Sequence, residues 1–299
     1  MNRRTFLRQS TLATITASLT ASSIETFAAD QEPLRREGAP KKIVIIGAGL
    51  AGMCAATELV QAGHDVTILE ARLRPGGRVF TMREPFSDGL YAEAGAMFIP
   101  DTHDLTLKYA KLFDLSLDPF RQPGLSSISY IGGQRIKTSY APDVAWPVDL
   151  TPEEKQMGLG GMWEKYRPES AIKDIGNAAA TADWPLHALK KYDDVSFNDF
   201  LRAQGASPAG VKLLTLGLTN LWGEGLESVS ALAVLRDMGH IFESRARYRI
   251  RGGNDLLPKA FAARLSDKIR YGSPVVKIEH DARAVRVTFM AAGTHHTIG

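Results

Sequence analysis

Apolar residues along this chain fall into three rhythms, and each predicts a different kind of element. The first is an unbroken run, Ile43-Val44-Ile45-Ile46, entered from Lys41-Lys42. A β-branched run with no polar member predicts a strand of a parallel sheet, buried on both faces. Six residues from Gly47 to Gly52 follow, and Met53 to Ala62 then reads as a helix stopped by Gly63. Val66-Thr67-Ile68-Leu69 predicts a second strand, ending at Glu70. The second rhythm is helical. Leu105, Tyr109, Leu112 and Phe113 recur at i, i+4, i+7 and i+8, which predicts one apolar face. His103, near the start of that helix, reads as a capping or surface residue. From Thr151 to about Arg245 the pattern is mostly helical, with turn signals at Gly160-Gly161, Trp184-Pro185 and Gly205 to Pro208. Trp146, Trp163, Trp184 and Trp222 read as packed core. The third rhythm is extended. Ile128 to Ile131 and Gln134 to Ile136 flank Gly132-Gly133, a hairpin with a primed turn. Pro274 to Ile278 and Ala284 to Phe289 predict two more strands, and Thr294 to Ile298 begins a hairpin partner.

The first 29 residues belong to none of these rhythms. Arg3-Arg4 is followed by Phe6-Leu7, and the stretch from Thr11 to Ile24 is uncharged and only mildly apolar. That plan predicts a twin-arginine-type signal peptide over residues 1–29, cleaved near Ala28-Ala29. It implies export to the periplasm or outside the cell through the twin-arginine machinery. No later stretch approaches the roughly 20 apolar residues of a membrane helix.

Composition narrows the remaining choices. The 299 residues are 44% hydrophobic and 23% charged, ordinary for a globular protein of one large or two ordinary domains. Net charge is +3, and only +1 once residues 1–29 are set aside, so nothing argues for a nucleic-acid partner. Cys54 is the single cysteine; it excludes an internal disulfide and a multi-cysteine zinc site, and its place in the first helix predicts a buried, inert thiol. His295 and His296 are adjacent on a predicted strand, face opposite ways and cannot readily share a metal. Glu153-Glu154 and Asp193-Asp194 read as solvated loop charges. No metal site is expected.

The strand, Gly47-Ala48-Gly49-Leu50-Ala51-Gly52, helix, second strand and Glu70 form a complete βαβ unit of about thirty residues. Gly47 serves the tight turn, Gly49 lets the backbone approach a pyrophosphate, and Gly52 lets helix pack on strand. The helix start offers N–H groups and partial positive charge to phosphates. Glu70 lies 23 residues after Gly47, placed to accept ribose hydroxyls and to disfavour the 2′-phosphate of NADP. This unit alone leaves FAD and NAD both open.

The continuation, Glu70-Ala71-Arg72-Leu73-Arg74-Pro75-Gly76-Gly77-Arg78-Val79-Phe80-Thr81, resembles the signature after the ribose acid in the flavin amine oxidase superfamily. Tyr91 to Pro100 resembles the family segment that passes under the isoalloxazine ring, and Arg251-Gly252-Gly253-Asn254-Asp255-Leu256-Leu257-Pro258 resembles its return into the FAD domain. The resemblance implies an α/β fold: a Rossmann-like FAD-binding domain with an inserted, mainly helical substrate domain. It implies FAD-binding domain at 30–98 and 249–299 and substrate domain at 99–248. It implies non-covalent FAD held by Gly47, Gly49, Leu50, Ala51, Gly52, Glu70, Ala71, Arg72, Gly76, Gly77 and Arg78. By the same resemblance Gly95, Ala96, Met97 and Phe98 line the flavin, and Val275 contacts the adenine end. The implied reaction is oxidation of an amine or amino acid to an imine, with O2 reduced to hydrogen peroxide. A desaturase or dehydrogenase of the same superfamily, or a non-catalytic FAD-binding module, is the alternative. No catalytic acid or base is assigned.

Two departures qualify that picture. Family members run roughly 150 residues further, so the second half of the flavin site is expected to be missing and the chain to be incomplete. The L-amino-acid oxidases have an arginine, which clamps the substrate carboxylate, where this chain has Phe98. That points to amines without a carboxylate, or to a clamp supplied elsewhere.

Overall fold

A computed structural model describes residues 34–120, 128–138, 144–167, 170–173, 175, 187–218, 221–223, 225–282 and 284–299. The expected signal peptide and Trp184-Pro185 lie outside the described residues. By internal packing the described chain divides into two units, one of residues 34–120 and 245–299, the other of 128–218 and 221–244.

The elements follow in chain order. The first unit opens with β1 (Lys42–Ile46), α1 (Leu50–Gln61), β2 (Asp65–Leu69), β3 (Thr81–Met82), β4 (Ala92–Glu93), β5 (Ile99–Pro100), α2 (Asp104–Leu112) and β6 (Leu117–Pro119). The second unit contains β7 (Ile128–Ile131), β8 (Gln134–Lys137), α3 (Pro152–Tyr166), α4 (Lys190–Asp193), α5 (Phe197–Ala203), α6 (Pro208–Leu216) and α7 (Ala231–Glu243). The chain then returns to the first unit as β9 (Arg247–Ile250), α8 (Leu256–Arg264), β10 (Ile269–Arg270), β11 (Val275–His280), β12 (Val285–Ala291) and β13 (Thr294–Ile298).

In the first unit, β1, β2 and β10 form a parallel sheet with β2 in the centre, in register from Lys42 opposite Asp65 to Ile46 opposite Leu69. Its core gathers Met53 and Ala56 of α1, Val66 and Ile68 of β2, Tyr109 and Phe113, and Leu257 and Phe261 of α8. β1 was expected to be buried on both faces. It is the outer strand of this sheet, so Ile43 to Ile45 are half-buried and Ile46 is exposed. α2 buries part of the expected face: Tyr109 and Phe113 are buried, with Ala110 between them, while Leu105 and Leu112 are exposed. Cys54 is only half-buried and donates to the Tyr109 hydroxyl at 3.3 Å. Burial, together with Cys54 and Glu58, pushes that hydroxyl well above its ordinary pKa. β11, β12 and β13 form the antiparallel sheet read from the sequence, and β5, β9 and β6 form another with β9 in the middle.

The second unit is mostly helical, and its sequence explains where helices begin. The Thr151 hydroxyl accepts from the Glu154 N–H, and the Glu154 carboxylate accepts from the Thr151 N–H, a reciprocal cap with Pro152 in the first turn. Ser196, Ser207 and Ser230 cap α5, α6 and α7 in the same way, by accepting backbone N–H groups. Two expectations need correction. Glu154 is not a solvated loop charge: it is 0% exposed, and besides its cap it accepts from the Ser207 N–H and hydroxyl. The expected turn at Gly160-Gly161 is helix; the break comes at Gly158, whose φ of 65° only glycine adopts readily. The core here collects Trp146, Tyr166, Phe197, Leu201, Leu214, Leu235 and Met238, with Trp163 and Trp222 packed against it.

By packing, the second unit starts later along the chain than residue 99. The residues from Ile99 to Phe120 pack with it because β5 and β6 pair with β9 on either side. The boundaries fall near residues 121 and 245.

Candidate functional site

β1 feeds directly into Gly47, whose φ is 98° and whose N–H donates to the Leu69 carbonyl at 2.8 Å. Ala48 is fully buried and donates its N–H to Glu70 Oε2 at 2.7 Å. Gly49 is the cap residue of α1, with extended backbone and no side chain to occupy the first N–H groups of the helix. A Cβ placed on Gly47 or Gly49 would meet no atom within 4 Å, so space is open above both. Gly52 is the reverse. A Cβ there would lie 2.2 Å from the Gly47 carbonyl oxygen, so helix and turn touch backbone to backbone. Leu50 and Ala51 begin the helix between them.

Glu70, at the end of β2, is 6% exposed. Its Oε1 accepts from the Arg72 N–H at 2.8 Å and its Oε2 from Ala48, so each oxygen keeps further lone pairs. Tyr271 lies close: burial, and then the Glu70 charge, raise its hydroxyl pKa.

The turn after Glu70 folds back on the glycine loop. The Gly76 N–H donates to the Ala48 carbonyl at 2.8 Å, and a Cβ on Gly77 would lie 3.6 Å from Gly49 Cα. Arg72 donates to the Gly77 carbonyl, and Arg74 donates to the Pro75, Gly77 and Val79 carbonyls while its guanidinium covers the Phe80 ring. Those two arginines therefore shape the turn. Ala71 and Arg78 are exposed.

The segment from Ala94 to Met97 is exposed and held by backbone. Ala94 donates to the Phe80 carbonyl and Ala96 to the Arg78 carbonyl. A Cβ on Gly95 would fall 2.0 Å from the Arg78 oxygen, so only glycine fits that crossing. Phe98 packs against Phe120, with ring centroids 5.2 Å apart, and the Arg247 guanidinium stands 5.0 Å over the Phe98 ring. Val275 begins β11, opposite Phe289, at a register shift.

The structure thus brings the 47–52 loop, Glu70 and Gly76-Gly77 together, and ties the 94–97 segment to Arg78 and Phe80. Val275 packs against the cluster of Leu69, Val287 and Phe289, and Leu69 is next to Glu70 along the chain.

A buried polar network, absent from the sequence expectations, joins the three recognised segments. The Thr81 hydroxyl donates to Glu93 Oε2 at 2.8 Å and accepts from the Asp255 N–H at 3.1 Å. Glu93 Oε1 accepts from the Asn254 N–H at 2.8 Å. Asn254 Nδ2 donates to the Ala96 carbonyl at 2.8 Å, and its Oδ1 accepts from the Ile250 N–H at 2.9 Å. Asp255 takes both arms of Arg83, at 2.9 and 2.8 Å, and Lys259 at 2.6 Å. Burial pushes the Asp255 carboxyl up, but Arg83 and Lys259 outweigh it and hold it below the usual range. All these residues lie inside or beside the recognised segments; polar residues at alternate positions of β3 and β4 were the available signal.

Among the described residues no group of three or more His, Cys, Asp or Glu converges to hold a metal, and no helix is long and apolar enough to cross a membrane.

Comparison with known proteins gives a consistent result. Residues 50–295 match the family described as flavin containing amine oxidoreductase. An L-amino-acid oxidase of Demansia vestigiata is 32% identical over 260 residues, covering 86% of this chain and 48% of that protein. YobN of Bacillus subtilis (strain 168) is 35% identical over 258 residues, covering 83% of this chain and 51% of its own length. Among solved structures, cyclohexylamine oxidase from Brevibacterium oxydans IH-35A superposes with a TM-score of 0.62 at 23% identity, over 86% of this chain and 56% of that one. Putrescine oxidase bound to putrescine gives 0.61 at 22%, over 85% and 56%. Both structural likenesses speak to the fold. The chain spans about half the length of the curated relatives it matches.

Proposed function

This chain belongs to the flavin-containing amine oxidoreductase family, and on that premise we propose that the full-length protein is an FAD-dependent oxidase of amines or amino acids. FAD is the cofactor of the family. When bound, it supplies the two-electron chemistry that turns a C–N bond into an imine, which water hydrolyses, while O2 becomes hydrogen peroxide.

The observation that carries this reading is the uncapped start of α1 beneath open glycine backbone, with Glu70 beside it. A diphosphate needs unpaired N–H groups, room for close approach and a favourable dipole, and this loop provides all three. In the proposed arrangement Gly47, Gly49, Leu50, Ala51 and Gly52 face the diphosphate. Glu70 accepts from a ribose with the lone pairs its two backbone donors leave. Gly76 and Gly77 keep the opposite wall free of side chains, Ala71 and Arg72 shape its entry, and the exposed Arg78 offers its charge. Gly95, Ala96, Met97 and Phe98 lie along the flavin, and Val275 meets the adenine end. The unit of 34–120 and 245–299 binds FAD, and the helical unit contributes to substrate recognition. The leader with Arg3-Arg4 directs export, to be checked by N-terminal sequencing of the periplasmic protein.

The test is to purify the full-length protein, record its visible flavin absorbance, and assay peroxide with a panel of amines and amino acids. A yellow protein that releases peroxide with at least one of them supports the proposal. A colourless protein that does not take up FAD ends it. Flavin reduction that is relieved only by a quinone moves the reading to a dehydrogenase of the same family.

A further inference from the structure

A cavity of about 240 Å3 opens in the first unit between the turn after Glu70 and the start of α8. Pro75, Val79 and Phe80 form its apolar wall, and Arg74, Arg83, Lys259 and Asp255 supply its charge. It is separate from the dinucleotide loop, and the two glycines of the turn show how. A Cβ on Gly77 would face Gly49, whereas a Cβ on Gly76 would lie 3.0 Å from the Pro258 ring of α8. The turn therefore has the glycine loop on one side and α8 on the other, and the cavity lies on the α8 side. Neither residues 47–52, nor Glu70, nor the 94–97 segment lines it.

The charges around this cavity do not balance. Asp255 is one carboxylate shared by two cations: Arg83 reaches its oxygens at 2.9 and 2.8 Å, and Lys259 reaches Oδ2 at 2.6 Å. Arg74 meets no carboxylate among the described residues; it donates only to the Pro75, Gly77 and Val79 carbonyls. Three cations against one carboxylate leave two positive charges at the lining. Glu93 also acts on Arg83, but it does not line the cavity, and its oxygens are held by the Thr81 hydroxyl and the Asn254 N–H. The Nε–H groups of Arg74 and Arg83 take part in none of these bonds, and the half-exposed Lys259 ammonium keeps donors beyond its ion pair. The Arg74 guanidinium lies over the Phe80 ring, 4.5 Å from its centroid, so one of its faces is shielded from water. Cations set against an apolar wall focus their field into a concave space and draw in anions. The apolar wall itself favours an anion with a hydrocarbon body over a bare inorganic ion.

We propose that this cavity is a second ligand site that takes a short aliphatic dicarboxylate, its two charges answering the surplus of the lining and its methylene groups resting on Pro75, Val79 and Phe80. Carboxylates suit the planar donors of Arg74 and Arg83, and Lys259 adds a point charge. The site stands on the geometry of this face and makes no use of the flavin reading.

The experiment titrates the full-length protein calorimetrically, at low ionic strength and in a buffer free of phosphate and carboxylates. The probes are succinate, succinamide as its uncharged counterpart, and inorganic phosphate, each repeated on Lys259→Met and Arg74→Met. Expected is saturable succinate binding at one site, at least tenfold tighter than succinamide and several-fold tighter than phosphate. Lys259→Met and Arg74→Met should each weaken succinate at least fivefold. Lys259 is half exposed and its ammonium pairs with Asp255 alone, so that variant should fold, and it decides the matter should Arg74→Met fail to. The proposal is overturned by the absence of saturable heat with succinate, by succinamide or phosphate binding as tightly as succinate, or by succinate affinity within twofold of the unaltered protein in the folded variants. Neither Lys259 nor Arg74 is among the residues proposed to contact FAD. A colourless protein that binds succinate through Lys259 therefore loses the oxidase reading and keeps this site, whereas a yellow protein indifferent to succinate does the opposite.

Discussion

Replacing Asn254 by alanine should destabilise the protein out of proportion to the atoms removed. The side chain is 4% exposed and makes two hydrogen bonds, accepting from Ile250 N–H and donating to the Ala96 carbonyl. The Ile250 side of this pair is buried, so its N–H would be left without a partner at ~1–3 kcal/mol. Ala96 is exposed and its carbonyl can turn to water, so that bond is worth only ~0.5–1.5 kcal/mol. Together the loss is about 2–4 kcal/mol, a large part of the ~5–15 kcal/mol that holds a typical domain folded. Urea unfolding of the full-length protein, followed by far-ultraviolet circular dichroism, measures it. Thr81→Val provides the internal check, because the Thr81 hydroxyl holds Glu93 and the Asp255 N–H, and so anchors the same turn whose backbone the Asn254 side chain fixes from the other side. The double variant should be non-additive by ~0.5–3 kcal/mol. A loss below about 0.5 kcal/mol for Asn254→Ala, or strict additivity with Thr81→Val, would refute the network as a cooperative unit.

Other consequences follow from the same geometry. Gly52→Ala places a methyl 2.2 Å from the Gly47 carbonyl oxygen and should cost ~1–3 kcal/mol in the same unfolding assay. Gly49→Ala meets no atom within 4 Å and should cost roughly 1 kcal/mol or less, as a changed helix cap, while FAD affinity measured by flavin fluorescence falls much further; unchanged affinity would count against the open space being used. Burial raises the Glu154 carboxyl pKa, but hydrogen bonds from Ser207 and Thr151 outweigh it and leave the group below its ordinary value. Its contribution to stability is therefore full above the unfolded carboxylate pKa of ~4.3 and is lost as pH falls through the folded value. Urea midpoints from pH 7 to pH 3 should fall less steeply for Glu154→Gln than for the unaltered protein, and parallel curves would contradict this.

Much of the first unit was legible because its signals are local. An unbroken β-branched run, glycines at fixed offsets and a terminal acid specify a turn that few other sequences make, and the structure brings Gly47, Gly49, Gly52 and Glu70 together where β1 turns into α1. Errors came where burial depends on partners distant in sequence. Ile46 reads as core but ends a sheet-edge strand. Glu154 reads as solvent-facing, yet Ser207, 53 residues later, supplies two donors to it. The Thr-x-x-Glu spacing of a reciprocal cap was visible at Thr151 and would have placed Glu154 at a helix start. Asn254 could not be read from spacing at all, because its partners Glu93 and Ala96 lie 161 and 158 residues earlier in the chain.

The claim on which the functional account rests is that the ADP half of FAD lies across the β1–α1 turn with its ribose on Glu70. Equilibrium binding of FAD to the flavin-stripped, full-length protein, compared with its Glu70→Ala variant, tests this most directly. The account predicts saturable binding at one site and a loss of at least tenfold with Glu70→Ala, while the urea midpoint shows that the variant is folded. Equal affinity of the two folded proteins for FAD would contradict it.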